Sequence, residues 1–271
     1  MWTGIAARIT ARPMTFSVKL LQWLFALFAA SLVAACGDAP ARGPVVLAPA
    51  SMQEALGEVA GAWAAQGNAP PVLSFAGTQV QARQLAQGAP ADVIVTADEE
   101  WMDWLETRAL IEPASRRTVA ANGLALVSVK AFGPDDTIAS RLLALGDGRL
   151  ALADPQSVPA GRYARAALEN MGLWDAVAAR VVPAENVRAA LALVESGEAA
   201  LGIVYRTDAE ASPRVASMTF DFRDVPEIYY PAALVAGAAH PRRQAFLDFL
   251  STPAAQEILA TYRFVPVEQA P

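Results

Sequence analysis

Short apolar runs alternate with segments of helical periodicity along the chain after residue 44. Apolar runs of roughly four to eight residues are typical of buried strands, and apolar residues three and four positions apart mark one face of a helix. Strands that alternate with helices predict parallel βαβ units and an α/β fold. The predicted strands are 45–48, 72–75, 92–96, 123–129, 150–153, 199–205 and 228–235. The predicted helices are 52–66, 79–87, 99–110, 140–145, 162–171, 187–196, 241–250 and 253–262.

Residues 1–35 are predicted to be a secretory signal. An apolar run at 20–35 follows Lys19 and ends in small residues just before Cys36. This is the layout of a signal peptide, and a membrane-spanning anchor is the competing interpretation of the run. The sequence VAAC at 33–36 resembles a bacterial lipobox, so we predict that Cys36 is lipidated and that 36–43 form a tether. An internal start at Met14 gives the signal more ordinary proportions.

The mature chain is acidic. Removal of residues 1–35 takes away three basic residues and no acidic one, which leaves 18 basic against 27 acidic residues and a net charge of −9. An acidic surface disfavours nucleic acid and anionic membrane surfaces as partners. Any anionic ligand must then be held by local dipoles and hydrogen bonds. Cys36 is the only cysteine, so an intrachain disulfide is impossible.

Candidate catalytic groups are few. The single histidine, His240, lies in the polar sequence AAHPRR before a predicted helix, which is typical of a surface turn. Asp92, Asp98 and Asp154 stand at the ends of predicted strands, where caps and turns explain them more simply than paired catalytic carboxylates. We therefore predict no catalytic residue, no cofactor and no direct metal ligand.

Several predicted helix starts share one chemistry. Ser51 is followed three residues later by Glu54, which fits a capping box, and Thr78 is followed by Gln81 in a looser version of it. Two further starts are at 159–162, after a strand and a proline-bounded loop, and at 184–188, after Val181 and Val182. Helix starts leave backbone N–H groups unpaired, which makes each one a potential seat for an anion. For any one of them taken alone, ordinary capping is the better explanation.

Six segments cover nearly the whole mature chain. They are APAS (48–51), SFAGT (74–78), QLAQGAPADVIVTADEEWMDWL (84–105), DPQSVPAGRYARAALENMGLWD (154–175), PAENVRAALALVESGEAALGIVYRTDA (183–209) and FLDFLSTPAAQEILATYRF (246–264). The combination of GAPAD, VPAG, ENVR and GIVY in this order is highly specific. Through these segments the chain strongly resembles the periplasmic molybdate-binding proteins of bacterial molybdate ABC importers.

The resemblance implies a two-lobed periplasmic-binding-protein fold of type II, with a ligand cleft between the lobes. In that family hydroxyls and main-chain N–H groups hold molybdate without any charged side chain. Two of the implied donors act through hydroxyls, two through backbone N–H groups and one through a phenol. In chain order, the implied ligand residues are Ser51, Thr78, Ala160, Val187 and Tyr205.

The chemistry of the ligand agrees with such a set of donors. Molybdate, tungstate and sulfate are fully deprotonated tetrahedral oxyanions that offer only hydrogen-bond acceptors, whereas a protonated phosphate needs an acceptor for its own proton. None of the implied positions carries a carboxylate, which disfavours phosphate. Arg162 and Arg188 lie just inside two helix starts, and the family pattern makes them supporting or rim charges.

We predict an envelope lipoprotein that captures molybdate or tungstate and delivers it to an ABC permease in the inner membrane. Lobe 1 is predicted to comprise 44–122 and 230–271, lobe 2 to comprise 123–229, and the protein to be a monomer. A binding protein for another oxyanion, such as sulfate, is the first alternative. An enzyme or a ligand sensor on the same two-lobed scaffold is the second.

Overall fold

The computed structural model describes residues 42–266 of the chain. The predicted signal peptide at 1–35, the predicted lipidation site Cys36 and positions 36–41 of the predicted tether lie outside these residues. Within the described part, no helix combines the length and the apolar character that a membrane span requires.

Two five-stranded sheets organise residues 42–266. Their strand orders are β2-β1-β3-β10-β4 and β7-β6-β8-β5-β9. We call the first sheet with its helices lobe 1 and the second sheet with its helices lobe 2. The strands are β1 (Val45–Pro49), β2 (Val72–Ala76), β3 (Val93–Val95), β4 (Arg117–Asn122), β5 (Leu124–Ser128), β6 (Leu150–Ala153), β7 (Val181–Ala184), β8 (Leu201–Tyr205), β9 (Ala216–Thr219) and β10 (Ile228–Leu234).

Helices follow most of these strands. The α-helices of the described part are α1 (Gln53–Ala65), α2 (Thr78–Ala86), α3 (Glu99–Thr107), α4 (Ile138–Leu143), α5 (Pro159–Asn170), α6 (Trp174–Val177), α7 (Val187–Glu195), α8 (Arg206–Ala211), α9 (Arg243–Leu250) and α10 (Pro253–Thr261). Single 3-10 turns occupy Ala50–Met52, Pro113–Ser115 and Ala178–Arg180. The predicted α/β, two-lobed fold is thus confirmed.

Both sheets contain the predicted parallel βαβ pairs, and each also includes one antiparallel strand. In lobe 1, β10 runs antiparallel to both β3 and β4. In lobe 2, β5 runs antiparallel to both β8 and β9. These two strands directly follow the points where the chain passes from one sheet to the other, and each enters its new sheet against the direction of the βαβ strands.

Within residues 42–266, the chain passes between the two sheets twice. The chain leaves sheet 1 at Asn122 and enters sheet 2 at Leu124, and it returns between Thr219 and Ile228. The parallel strands β1 and β2 of lobe 1 and β6 and β7 of lobe 2 all end toward the same space between the lobes. Ligands of open α/β sheets bind at such carboxyl ends of strands.

Candidate binding site between the lobes

A small cavity lies where the parallel strands of both lobes end. The space that the centre of a water-sized sphere can occupy in this cavity is about 20 Å³. One water molecule needs about 10–15 Å³ on this measure, and pockets for organic ligands span about 300–1,000 Å³. The lining residues are Pro49, Ala50, Ser51, Ala76, Gly77, Thr78, Ala97, Val158, Pro159, Ala160, Asn186, Val187 and Tyr205. None of these residues carries a charge, so the cavity fits a small ligand bound by neutral groups.

All five residues predicted to bind the ligand line this one cavity. Ser51 and Thr78 come from lobe 1, directly after β1 and β2. Ala160 and Val187 stand in the first turns of α5 and α7, and Tyr205 ends β8, all in lobe 2. The site is therefore complete only when the two lobes face each other.

The hydroxyls of Ser51 and Thr78 do not cap helices, so that prediction is wrong at both positions. Ser51 lies inside a 3-10 turn before α1, and Thr78 is already the first residue of α2. Their oxygens are engaged by distant residues instead. Thr78 Oγ1 accepts a hydrogen bond from the Ala97 backbone N–H at 3.1 Å, and Ser51 Oγ lies 3.1 Å from Tyr230 Oη. Because Thr78 Oγ1 accepts at that contact, its own hydrogen stays free to donate into the cavity.

Tyr205 presents a buried phenol to the cavity. The side chain is 1% exposed, and among the described residues its Oη makes no hydrogen bond of ordinary geometry. Burial, with a smaller effect from neighbouring Tyr230, raises the pKa of Tyr205 well above its usual value, so the phenol keeps its proton. A buried polar group without a partner costs about 1–3 kcal/mol. The unpaired hydroxyl therefore indicates a ligand that accepts a hydrogen bond.

Two helix starts in lobe 2 direct backbone N–H groups toward the same space. Pro159 occupies the first position of α5, where its missing N–H costs nothing. At α7, Asn186 caps the helix by accepting from the Ala189 N–H at 2.9 Å, so Val187 opens the helix at the cavity wall. Partial positive charge at helix N-termini favours an anion by about 0.3–1 kcal/mol each.

Arginine side chains near the cavity are neutralised by carboxylates of lobe 1 rather than lining the cavity. Arg162 pairs with Asp98, and its Nη1 lies 2.5 Å from Glu100 Oε1. Arg188 Nη2 lies 2.5 Å from Glu54 Oε2. The sequence-based interpretation as supporting charges stays a prediction, and the structure adds that both arginines connect lobe 2 to lobe 1.

Neutral hydrogen bonds also cross between the lobes. Gln79 Nε2 donates to the Glu185 carbonyl at 2.8 Å, and Trp101 Nε1 donates to the Ser157 carbonyl at 2.9 Å. Trp101 is a buried aromatic residue of lobe 1. Separation of the lobes must break its bond to Ser157, so Trp101 is a natural fluorescent reporter of lobe closure.

The residues weighed as alternative catalytic groups have local structural roles. Asp98 accepts from the Trp101 N–H as an N-cap, Asp92 accepts from the Val45 N–H, and Asp154 accepts from the Ser157 hydroxyl. His240 is half-buried in the loop before α9, where its Nε2 lies 2.7 Å from the Arg42 carbonyl oxygen. Among residues 42–266, no cluster of three or more His, Cys, Asp or Glu side chains is placed to hold a metal ion.

Sequence reasoning missed three residues that support the cavity: Ala97, Asn122 and Tyr230. The Ala97 N–H contacts the Thr78 hydroxyl, and Tyr230 Oη contacts the Ser51 hydroxyl. Asn122 Nδ2 donates to Tyr230 Oη at 3.2 Å. Tyr230 belongs to a strand-like run, in which sequence pattern indicates burial alone. Its contact with Ser51 joins residues 179 positions apart, so no local signal could have revealed it.

Comparison with known proteins identifies the family. A family model described as bacterial extracellular solute-binding protein matches residues 44–265. The chain belongs to the bacterial extracellular solute-binding proteins. This solute-binding protein is 41% identical to the molybdate-binding protein ModA of Escherichia coli (strain K12) over 251 residues, covering 90% of this chain and 98% of that protein. It is 37% identical to ModA of Haemophilus influenzae over 224 residues, covering 81% and 88%.

A solved structure gives the same grouping. The periplasmic molybdate-binding protein of Azotobacter vinelandii matches this solute-binding protein with a TM-score of 0.75 and 28% identity, over 82% of this chain and 98% of that one. The resemblance inferred from the six sequence segments is thereby confirmed.

Proposed function

We propose that this solute-binding protein captures molybdate or tungstate in the bacterial cell envelope and delivers it to an ABC importer. The observation that carries the proposal is the cavity between the lobes, which is small, uncharged and lined by hydrogen-bond donors from both lobes. Relatives that cover most of the chain are molybdate-binding proteins, which supports molybdate as the ligand.

The proposed ligands are the hydroxyls of Ser51 and Thr78, the backbone N–H groups of Ala160 and Val187, and the phenol of Tyr205. Hydrogen bonds to a charged group contribute about 1.5–3 kcal/mol each. Five such bonds together are of the same order as the cost of association, so a neutral cage offsets that cost even on an acidic protein. The fully deprotonated oxyanion supplies acceptors only, which matches a set of donors.

Lobe closure is the proposed mechanism of capture. A ligand that contacts both lobes favours the closed arrangement by its differential affinity for it. The proposed hinge passes through the two chain crossings, one at Gly123 and one between Thr219 and Ile228. We further propose a monomer that is anchored through lipidated Cys36 and docks in its closed form on the permease. Catalysis is not part of the proposal, because the single histidine, His240, lies outside the cavity.

Isothermal titration calorimetry with molybdate, tungstate, sulfate and phosphate tests this function. We expect molybdate and tungstate to bind at least about 100-fold more tightly than sulfate, a difference of about 2.7 kcal/mol. Trp101 fluorescence should change on addition of the two preferred anions. Equal or tighter binding of sulfate would reject molybdate as the ligand, and binding of none of the four anions would reject the oxyanion site.

Replacing Ser51 with alanine is expected to weaken molybdate binding by about 1.5–3 kcal/mol, the value of one hydrogen bond to a charged group. This corresponds to a roughly 10- to 150-fold rise in the Kd. Ser217→Ala is the matched control, because Ser217 lies exposed on β9, far from the cavity lining. An unchanged Kd for Ser51→Ala would remove Ser51 from the proposed site.

A further inference from the structure

The Ser51 hydroxyl could serve the cavity in either of two ways. A serine hydroxyl has one hydrogen to donate and lone pairs that accept. A fully deprotonated oxyanion needs the hydrogen, whereas a protonated one can use the oxygen. Whether the hydrogen or a lone pair of Ser51 Oγ faces the cavity depends on the hydrogen bond that Ser51 Oγ makes with the rest of the protein.

Asn122 begins a hydrogen-bond chain whose direction is fixed. Its Oδ1 accepts from the Gly123 N–H at 2.9 Å, which settles the orientation of the amide. Its Nδ2 therefore donates, to Thr207 Oγ1 at 2.9 Å and to Tyr230 Oη at 3.2 Å. An amide nitrogen has no lone pair to accept with, so Tyr230 Oη must be the acceptor at that contact.

The hydrogen-bond chain continues from Tyr230 to Ser51. The Tyr230 side chain is fully buried, and because its oxygen accepts from Asn122, its one hydrogen still needs an acceptor. Ser51 Oγ lies 3.1 Å from Tyr230 Oη. The Tyr205 ring is also close, with centroids 5.8 Å apart, but its Oη forms no hydrogen bond of ordinary geometry among the described residues. A Tyr230 hydrogen without an acceptor would cost about 1–3 kcal/mol, so Tyr230 donates to Ser51.

We infer that Asn122 and Tyr230 are positioning residues that hold the Ser51 hydroxyl as a donor and so make the cavity selective for fully deprotonated oxyanions. The inference rests on the proposed function, because it concerns the same site. Once Ser51 Oγ accepts from Tyr230, the Ser51 hydrogen is left for the cavity. The arrangement reproduces at Ser51 what the Ala97 N–H does at Thr78.

The chain of hydrogen bonds also lies at the crossings between the lobes. Asn122 is the last residue of β4, and its register partner in β10 is Ile228, the first residue after the return crossing. Thr207, the other acceptor of Asn122, belongs to α8 of lobe 2. The donor state of Ser51 is therefore set by residues that meet where the two lobes join.

Asn122→Asp keeps the size of the side chain but reverses the donor direction along this series of hydrogen bonds. A carboxylate accepts only, so Tyr230 turns its hydrogen to position 122 and Ser51 gives its own hydrogen to Tyr230. Ser51 then presents an oxygen to the ligand. We expect the molybdate Kd to rise about 100-fold, which combines a lost charged hydrogen bond with repulsion. Hydrogen phosphate can donate its own proton to Ser51, so its Kd should rise much less.

The ratio of the phosphate Kd to the molybdate Kd separates this effect from simple charge repulsion. At about pH 8 both ligands carry a double negative charge, but only phosphate retains a proton. A new carboxylate therefore repels both ligands alike and cancels in the ratio. We expect the ratio measured by calorimetry to fall at least about 10-fold in Asn122→Asp. An unchanged ratio would overturn the inference.

A double-mutant cycle with Tyr230→Phe tests the path through Tyr230. With the phenol removed, Asn122→Asp can no longer reverse Ser51, and its effect on the ratio should vanish. Tyr262→Phe is the matched control, since Tyr262 Oη bonds exposed Glu58 outside the cavity. An equal shift of the ratio with and without the Tyr230 hydroxyl contradicts the inference. If the unmodified protein did not bind molybdate, the proposed function would be contradicted instead. Failure of the inference and failure of the proposed function therefore give different results.

Discussion

Replacing Arg188 with methionine is expected to lower the free energy of unfolding by about 3–5 kcal/mol, the typical cost of removing one partner of a buried ion pair. Arg188 Nε lies 2.5 Å from Asp208 Oδ1, and Asp208 is completely buried. Among the described residues, neither Asp208 oxygen accepts a hydrogen bond of ordinary geometry. The Arg188 guanidinium is therefore the main group that compensates the charge of the buried Asp208 carboxylate. Methionine has a similar length but no charge, so it leaves the carboxylate uncompensated.

The loss of stability in Arg188→Met should depend on pH. Burial raises the pKa of Asp208 from 3.8 to about 7, even though the charge of Arg188 acts to lower it. Without Arg188 the pKa rises further. The folded state then binds a proton more tightly than the unfolded state, so stability falls as the pH rises from about 4 through 7 and beyond. We expect Arg188→Met to be considerably more stable at about pH 5 than at about pH 8.

Urea denaturation of Arg188→Met, Asp208→Asn and the double variant measures this effect. The double variant removes both charges, so it should recover most of the stability that Arg188→Met loses at about pH 8. Glu54→Gln controls for the second contact of Arg188, and it should cost at most about 1 kcal/mol because Glu54 is exposed. Equal instability of the single Arg188→Met and double variants would show that packing, rather than the Asp208 charge, makes Arg188 necessary.

Hydrophobic pattern alone predicted most of the fold, because residues buried inside a sheet or under a helix leave a periodic signal. The strand β6 was predicted with its observed bounds, and the helix α7 ends one residue earlier than predicted. The strands β4, β7 and β9 were missed. β7 and β9 contain no fully buried residue, β4 contains only three, and β7 includes Pro183 at a sheet edge. Such short edge strands are defined by their neighbours rather than by their own composition.

The site was predicted in position but not in local geometry. Resemblance to a family singled out five positions that the fold brings to one cavity. Capping rules then assigned Ser51 and Thr78 to their own helices, since such rules consider only residues three apart. The hydroxyls instead meet Tyr230 and the Ala97 N–H, which the sheet places beside them. Hydrogen-bond direction in a cavity depends on these distant partners, and a single sequence does not report them.

Gly161→Ala is expected to lower the free energy of unfolding by about 3 kcal/mol, at the upper end for an overpacked site. An added Cβ would lie 2.0 Å from the Ala153 carbonyl oxygen and 2.7 Å from the carbonyl carbons of Ala153 and Asp154. These are backbone atoms at the end of β6, so no side-chain rotation can relieve the clash. The start of α5 must move away from the sheet.

That movement also displaces Ala160, which precedes Gly161 and lines the cavity. We therefore expect the molybdate Kd of Gly161→Ala to rise at least about 10-fold, or about 1.4 kcal/mol, as measured by calorimetry on the folded fraction. Gly61→Ala is the matched control, because an added Cβ there meets no atom within 4 Å and the residue lies inside α1. Alanine at such an exposed helical position should stabilise the protein by up to about 1 kcal/mol. If Gly161→Ala instead kept both full stability and the original Kd, close contact between α5 and β6 would not be what positions the Ala160 N–H.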